Sequence, residues 1–278
     1  MKTYFRYPFV SGLILAVLFM AFSYQDGENK EQLVLISTNY GDMTVKLYNE
    51  TPKHRDNFIE LVKKGGYDSL LFHRVIYGFM IQGGDPDSKH AEQGKRLGNG
   101  GPGYTVPAEF VDTIFHKKGA LAAAREGDNV NPEKKSSGSQ FYLVQGKVFT
   151  DKELDQVDQR RMNMFRDQVF SDFMSEAGNE VYKEHYQAAR KAKDQEALNG
   201  VMEEINPELE KRLAAYKLSP KQREIYKTTG GVPHLDGAYT VFGELVDGFN
   251  VLDSIAAVRT DRADRPMEDV VMEMKLLN

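Results

Sequence analysis

Residues 72–85 read FHRVIYGFMIQGGD, which is an apolar run that carries a histidine and an arginine and ends in two glycines and an aspartate. Met80 and Gln82 are two positions apart, so their side chains share one face of a β-strand. Arginine is rarely buried without a partner, and Arg74 stands in the same run. A permanent cation near Phe, Met and Gln side chains is typical of a peptide-binding pocket that has an apolar wall and a polar rim.

The segments around this run predict a mainly β domain. Apolar alternation and flanking glycines predict strands at 32–37, 43–47, 71–76, 79–82, 104–106, 119–124, 139–144, 239–243 and 270–276. Turn residues at 39–42 predict a hairpin between the first two strands. Thr51 and Pro52 predict the N-cap and first residue of a helix, and a second helix is expected at 249–257. Many short strands with glycines between them indicate a sandwich or a barrel.

Residues 150–228 have a different composition, with almost no glycine and many Glu, Lys, Gln, Arg, Met and Ala residues. Thr150 and Glu153 predict a capping box at the start of a helix. Asn206-Pro207 and Ser219-Pro220 predict two further helix starts. We therefore expect an α-helical insert of three or four helices, packed as a helical hairpin or small bundle within the β domain.

The N-terminal residues predict export. Lys2 and Arg6 precede an apolar run at 9–22, and small residues follow it, so residues 1–23 are interpreted as a signal peptide and 24–31 as a polar linker. The run is short for a membrane span of about 20 residues. An uncleaved anchor, which would tether the protein to the membrane, is the alternative. Either way the domain at 32–278 is expected outside the cytoplasmic membrane, in the periplasm if the source has two membranes.

The bulk composition excludes several classes of function. Apolar residues make up 41% of the chain and charged residues 28%, and the net charge is −5, so nothing favours nucleic acid as a partner. The absence of Cys excludes disulfides, thiolate metal sites and a cysteine nucleophile. The six histidines lack ligand spacing, so no metal is expected. Residues 98–103 are glycine-rich but lack the Lys-Ser/Thr ending of a phosphate-binding loop.

Residues 72–85 closely resemble the FHRVIxxFMIQGGD signature of the cyclophilins. Residues 119–125 with 139–142, and 234–237 with 241–243, are similar to two further family segments, so the resemblance covers about 32–145 and 231–278. It implies a closed eight-stranded antiparallel barrel with two capping helices, to which this chain adds the α-helical insertion at 150–228.

The resemblance also implies the activity, which is cis–trans isomerisation of X–Pro bonds without a cofactor. Arg74 corresponds to the catalytic arginine. The residues that correspond to substrate-binding positions are Phe79, Met80, Gln82, Ala124, Arg125, Gln140, Tyr142, Leu235, Tyr239 and His234. Ala124 and Arg125 are expected to bind through main-chain groups, and Gln82 and Gln140 through their amides. His234 replaces the Trp of drug-binding members, so inhibitors of the cyclosporin type are expected to bind weakly.

Other interpretations of these residues stay open at this point. An arginine in a strand is often an ion-pair residue, and Phe79, Met80, Tyr142 and Leu235 could belong to the core. The implied partners are proline-containing polypeptide clients, and the implied role is to accelerate their folding. A holdase or adaptor that binds proline-containing segments, or a scaffold that dimerises through the insert, would fit the same composition.

Overall fold

The computed structural model describes residues 31–277. The predicted signal peptide 1–23 and all but the last residue of the linker 24–31 lie outside this range, so both stay predictions. Between residues 31 and 277, none of the helices has the length and apolar character needed to cross a membrane.

The predicted hairpin at the start of the domain is confirmed. Strand β1 (Leu33–Thr38) pairs antiparallel with β2 (Gly41–Leu47) and, on its other side, with β11 (Val271–Leu277). The alternating apolar residues of β1 and β2 are fully buried, namely Val34, Ile36, Met43, Val45 and Leu47. Alternation of apolar and polar residues therefore sets which face of this hairpin enters the core.

The other predicted strands are also present, with shifted ends, except that the single strand predicted at 71–76 is divided into two short strands by residues 72–73. They are β3 (Leu70–Leu71), β4 (Arg74–Ile76), β5 (Met80–Gly83), β6 (Thr105–Val106), β7 (Ala120–Ala123), β9 (Phe141–Val144) and β10 (Val241–Asp247), and β8 (Ser136–Ser137) is an additional one. All pairs are antiparallel, in the order β3-β11-β1-β2-β10-β7-β9-β5-β4, and β6 pairs with β8 apart from them. The expected closed eight-stranded barrel is not confirmed. Within the described range this curled sheet has nine strands, and its end strands β3 and β4 do not pair with each other.

Six α-helices accompany the sheet between residues 31 and 277. They are α1 (Pro52–Lys63), α2 (Asp151–Ser175), α3 (Glu180–Ala192), α4 (Gln195–Leu213), α5 (Pro220–Thr228) and α6 (Phe249–Ala256). The first and last of them pack on the main core, to which α1 contributes Phe58 and α6 contributes Leu252 and Ile255. This core lies behind the strands that carry the site.

Helix α1 begins where the sequence predicts, with Thr51 at the N-cap and Pro52 in the first turn. The Thr51 side chain makes no capping hydrogen bond, however. The carboxylate of Glu109 accepts the backbone N–H groups of Lys53 and His54 instead, at 3.1 and 3.0 Å. A residue from a distant loop thus stabilises the N–H groups that a helix start leaves unsatisfied.

The insert consists of α2 to α5, and the capping box predicted at Thr150 is present. The helix start predicted at Ser219-Pro220 is confirmed and also has a capping box. The helix start predicted at Asn206-Pro207 is wrong, because Pro207 lies inside α4. That helix begins after Asp194, whose carboxylate accepts the Ala197 N–H at 3.0 Å. Proline forfeits a backbone hydrogen bond inside a helix, but buried apolar residues on both sides of it, Ile205 and Leu209, anchor α4 against the rest of the insert.

Candidate active site

Strands β4 and β5 bring the polar residues of the 72–85 run together. Arg74 pairs directly with Gln82 in the antiparallel register, so both side chains project from the same face. Arg74 Nη1 donates to Gln82 Oε1 at 3.3 Å, and Gln82 Nε2 donates to Gln140 Oε1 at 3.0 Å. A guanidinium and two amides thus form a continuous polar row.

The apolar part of the site comes from Phe79 and Met80, from β9 and from the loop after residue 232. Tyr142 of β9 is the register partner of Gln82, so its ring lies beside the polar row. A cavity of about 70 Å³ opens there, lined by Arg74, Phe79, Met80, Gln82, Ala124, Arg125, Tyr142, Leu235 and Tyr239. These are all residues predicted for the site, and sheet pairing brings them together from four separate segments.

The two remaining predicted site residues do not line this cavity. Gln140 lies beside it, where its Nε2 donates to the carbonyl oxygens of Gly98 and Gly100 at 2.9 and 2.7 Å. His234 stacks on the ring of Phe79, with 5.8 Å between centroids. Both residues therefore support groups that line the cavity.

The Arg74 side chain is partly exposed toward the cavity, and an ion pair with Asp264 holds its Nε side. Its side chain is 41% exposed, and its Nε lies 3.5 Å from the Asp264 carboxylate. Sequence analysis missed Asp264, which stands in the charged segment 261–265 with nothing to mark it as a partner of Arg74. The tip of the guanidinium stays directed to the row that contains Gln82.

Arg125 contributes more through its side chain than the resemblance implies. Its Nε donates to the carbonyl oxygen of Ala238 at 2.7 Å, and its guanidinium lies 4.4 Å from the centroid of the Tyr239 ring. The N–H of Ala124 is already bonded to the Gln140 carbonyl oxygen at 3.0 Å. Arg125 thus joins the β7 end to the loop that carries the opposite wall of the cavity.

Larger cavities open on both sides of the small one and form a groove with it. One of about 470 Å³ shares Arg74 and Gln82, and another of about 750 Å³ shares Ala124 and Arg125. The glycine-rich loop between them is held by the buried carboxylate of Asp85, which accepts the Gly98 N–H at 2.5 Å. A small apolar pocket with a cationic edge, set in an open groove, suits a cyclic side chain within an extended polypeptide.

Three histidines near these elements resist protonation, and two of them, His54 and His73, are buried. Burial is the main cause that lowers the pKa values of His54, His73 and His234 below 6.5. The opposing effect of Glu109 on the pKa of His54 is smaller. Neither ring nitrogen of His73 has a hydrogen-bond partner in the described part of the chain.

We expect the free energy of unfolding to decrease as pH falls below about 6.5, because the unfolded chain then binds protons that the buried histidines refuse. Urea unfolding at pH 7.5 and 5.5 measures the difference. The variant His73→Phe keeps an aromatic ring without a titratable group, so its stability should fall less over the same interval. An equal fall in the variant and the wild type would contradict a contribution from His73.

Comparison with protein families agrees with this geometry. The family described as cyclophilin type peptidyl-prolyl cis-trans isomerase/CLD matches residues 33–165 and 161–275. A Staphylococcus aureus protein named "Putative peptidyl-prolyl cis-trans isomerase" is 32% identical over 253 residues, which cover 90% of this chain and 91% of that protein. A Streptococcus pyogenes protein named "Putative bifunctional phosphatase/peptidyl-prolyl cis-trans isomerase" is 33% identical over 86% of this chain, which spans 37% of that relative.

Solved structures show the same fold. A cyclophilin type peptidyl-prolyl cis-trans isomerase of Cryptosporidium parvum matches with a TM-score of 0.50 and 21% identity over 89% of this chain and 98% of its own. The structure of that protein in the presence of the dipeptide Ala-Pro matches with a TM-score of 0.50 and 20% identity, over 89% and 99%. The architecture is therefore cyclophilin-like, a curled and mainly antiparallel sheet with helices.

Proposed function

The chain belongs to the cyclophilin-type peptidyl-prolyl cis–trans isomerase family, and from this premise we propose that it isomerises X–Pro bonds of exported polypeptides and speeds their folding, with Arg74 as the catalytic residue. The observation that carries the proposal is the cavity that Arg74 shares with Met80 and Tyr142. The proline ring enters this cavity, and the flanking cavities take the chain on either side.

The role of Arg74 follows from the electronic structure of the X–Pro bond. Resonance makes the bond planar, and rotation faces a barrier of about 18–20 kcal/mol. In the twisted transition state the prolyl nitrogen leaves the resonance and its lone pair becomes a hydrogen-bond acceptor. The Arg74 guanidinium donates to that lone pair in the transition state and finds no such acceptor in the planar ground states. This differential binding lowers the barrier.

The remaining residues of the cavity hold the proline ring while the preceding carbonyl turns. Met80 and Tyr142 are almost fully buried and give the cavity a firm floor. Leu235 and Tyr239 line the cavity from the loop after residue 232. Gln82, whose amide bonds Arg74 and Gln140, borders the path of the substrate backbone. No proton moves in this reaction, so none of these residues needs to titrate.

The packing of the insert favours a folding enzyme over a holdase. Its large apolar side chains, among them Phe173, Leu209 and Leu213, are buried against one another. Exposed apolar residues such as Met164 are scattered singly, which is normal for a soluble surface. A holdase needs a continuous exposed apolar surface for unfolded clients.

Two experiments test the proposed function. The first follows cis-to-trans conversion of a short X–Pro peptide and the refolding of a protein whose slow phase is limited by proline isomerisation. We expect acceleration of both at catalytic concentrations of the enzyme. Suppressed aggregation without any acceleration would favour the holdase instead.

The second experiment concerns export. We expect the protein in the periplasmic fraction of its cell, and N-terminal sequencing of that product should begin close to residue 24, after removal of the predicted signal. A product that retains residues 1–23 and sediments with membranes would support the uncleaved anchor. A product confined to the cytoplasm would overturn the export proposal.

Asp264→Ala is expected to lower kcat/KM by no more than about fivefold, because an exposed ion pair contributes at most about 1 kcal/mol. Asp264 steadies the Nε side of the guanidinium, from 3.5 Å away, so its loss lets Arg74 sample unproductive positions. The peptide assay measures the change. Glu133→Ala removes a carboxylate that pairs with Lys135 instead, and should leave kcat/KM unchanged. A higher kcat/KM in Asp264→Ala would mean that Asp264 restrains Arg74.

A further inference from the structure

A chain of four buried side chains runs from the insert to the floor of the proline pocket. Tyr226 Oη lies 2.7 Å from Asp236 Oδ2, Asp236 Oδ1 lies 3.0 Å from His116 Nδ1, and His116 Nε2 lies 2.9 Å from Tyr142 Oη. The exposed fractions of Tyr226, His116 and Tyr142 are 0%, 1% and 4%. Because these groups are buried, the loss of any one of these hydrogen bonds is costly.

The hydrogen bonds in this network converge on Asp236 from both sides. The Asp236 carboxylate accepts from the Tyr226 hydroxyl and from His116 Nδ1–H, and its Oδ1 also accepts the backbone N–H of His116 at 2.9 Å. In the tautomer that carries its proton on Nδ1, His116 accepts from the Tyr142 hydroxyl through Nε2. Burial raises the pKa values of Tyr142 and Tyr226, so both hydroxyls stay protonated donors.

The network joins the proline pocket at one end to the helical insert at the other. Tyr142 lines the proline pocket, and Asp236 directly follows the pocket residue Leu235. Tyr226 belongs to α5, the last helix of the insert. Its ring packs against Phe115 and Phe149, with centroid distances of 5.6 and 6.3 Å.

Helix α5 is itself held firmly against the first helix of the insert. Arg223 Nη1 donates to Asp158 Oδ2 at 2.7 Å, and the other oxygen of Asp158 accepts the Leu218 N–H at 2.7 Å. By contrast, a cavity of about 80 Å³ lies beside Asp236. Close packing does not hold Asp236 on that side, so the hydrogen bonds determine where this residue sits.

We propose that Tyr226 is a positioning residue for the isomerase, through which the helical insert sets the placement of Tyr142 and Leu235 in the proline pocket. The inference rests on the proposed function of that pocket. Acting through Asp236 and His116, the Tyr226 hydroxyl keeps the pocket in the shape that matches the twisted proline. The insert is therefore part of the catalytic unit.

The variant Tyr226→Phe tests the proposal, because it removes only the hydroxyl and keeps the packed ring. We expect kcat for an X–Pro peptide to fall by about tenfold, since displacement of about 1 Å can cost a hundredfold in rate. KM should change much less, because the ground-state contacts of the proline ring remain. Tyr186→Phe is the matched control, since Tyr186 packs in the insert's own apolar cluster, and its kcat should equal that of the wild type.

A double-mutant cycle with Tyr142→Phe separates transmission through the network from a general loss of stability. If the network transmits the effect, the double variant should lose less activity than the product of the two single losses. Independent losses that multiply would overturn the proposal, as would an unchanged kcat in Tyr226→Phe. Each variant is assayed well below its own melting temperature. Failure of the wild type to turn over the peptide would instead overturn the proposed function.

Discussion

Replacing Arg74 by alanine is expected to lower kcat/KM for an X–Pro peptide by about 10²–10³-fold, the loss typical when one preorganised donor to a transition state is removed. The guanidinium is the charged donor at the edge of the proline cavity, next to Gln82 and Tyr142. Without it, the lone pair of the twisted nitrogen has no cationic partner. The measurement is cis-to-trans conversion of a peptide at several enzyme concentrations.

Two matched variants make the result for Arg74 specific. Arg190→Ala removes an exposed arginine of α3 that lines none of the cavities of the groove, and should change kcat/KM less than twofold. Arg74→Lys keeps the charge but loses the planar, forked donor, so it should recover only part of the activity. If Arg74→Ala retained most of the wild-type kcat/KM, Arg74 would be an ion-pair partner of Asp264 and the proposed mechanism would fail.

Replacing Phe141 by alanine is expected to lower the free energy of unfolding by about 3–5 kcal/mol, as for other large core aromatics. Phe141 is 1% exposed and meets Phe58, Tyr67 and Phe72 edge to face, with centroid distances of 5.6, 5.5 and 5.9 Å. Its removal leaves a cavity among three aromatic rings that cannot all move inward. Because single domains are stable by only about 5–15 kcal/mol, this loss is a large fraction of the total.

Urea unfolding of Phe141→Ala beside Phe110→Ala checks this expectation. Phe110 is 43% exposed, so its removal should cost little. A cost below about 1 kcal/mol for Phe141→Ala would mean that the core closes around the missing ring, which is rare for a site this buried. The result also bears on the active site, since Phe141 and Tyr142 are neighbours on β9 that face opposite sides of the sheet.

Local patterns were sufficient to predict most of the elements. Alternation predicted the strands around the hairpin, and the N-cap residues Thr150 and Ser219 marked two helix starts correctly. The local pattern was misleading at Asn206-Pro207, which looks like a helix start but lies within α4. There the buried contacts of neighbouring residues outweigh the hydrogen bond that proline forfeits.

The candidate site was predicted from a motif whose residues are brought together by pairing between strands. Arg74, Met80 and Gln82 lie close together in sequence, so the period of a strand already relates them. Asp264, His116 and Asp236 were not identified as site residues. Each becomes relevant only through contacts with residues far away in the chain, and charged or histidine residues of this kind are common on any surface.

Most of the strands, the insert, the family resemblance and Arg74 as the cation of the pocket could be predicted from the sequence, because each depends on residues that are close together in the chain. Three contacts came only with the folded chain: Glu109 caps α1, Asp264 steadies Arg74, and Tyr226 reaches the pocket through Asp236. The partners in these contacts lie 10 to 190 positions apart in the sequence. Whether such side chains meet depends on the path of the folded chain, and the periodicity of a single strand or helix contains no information about that path.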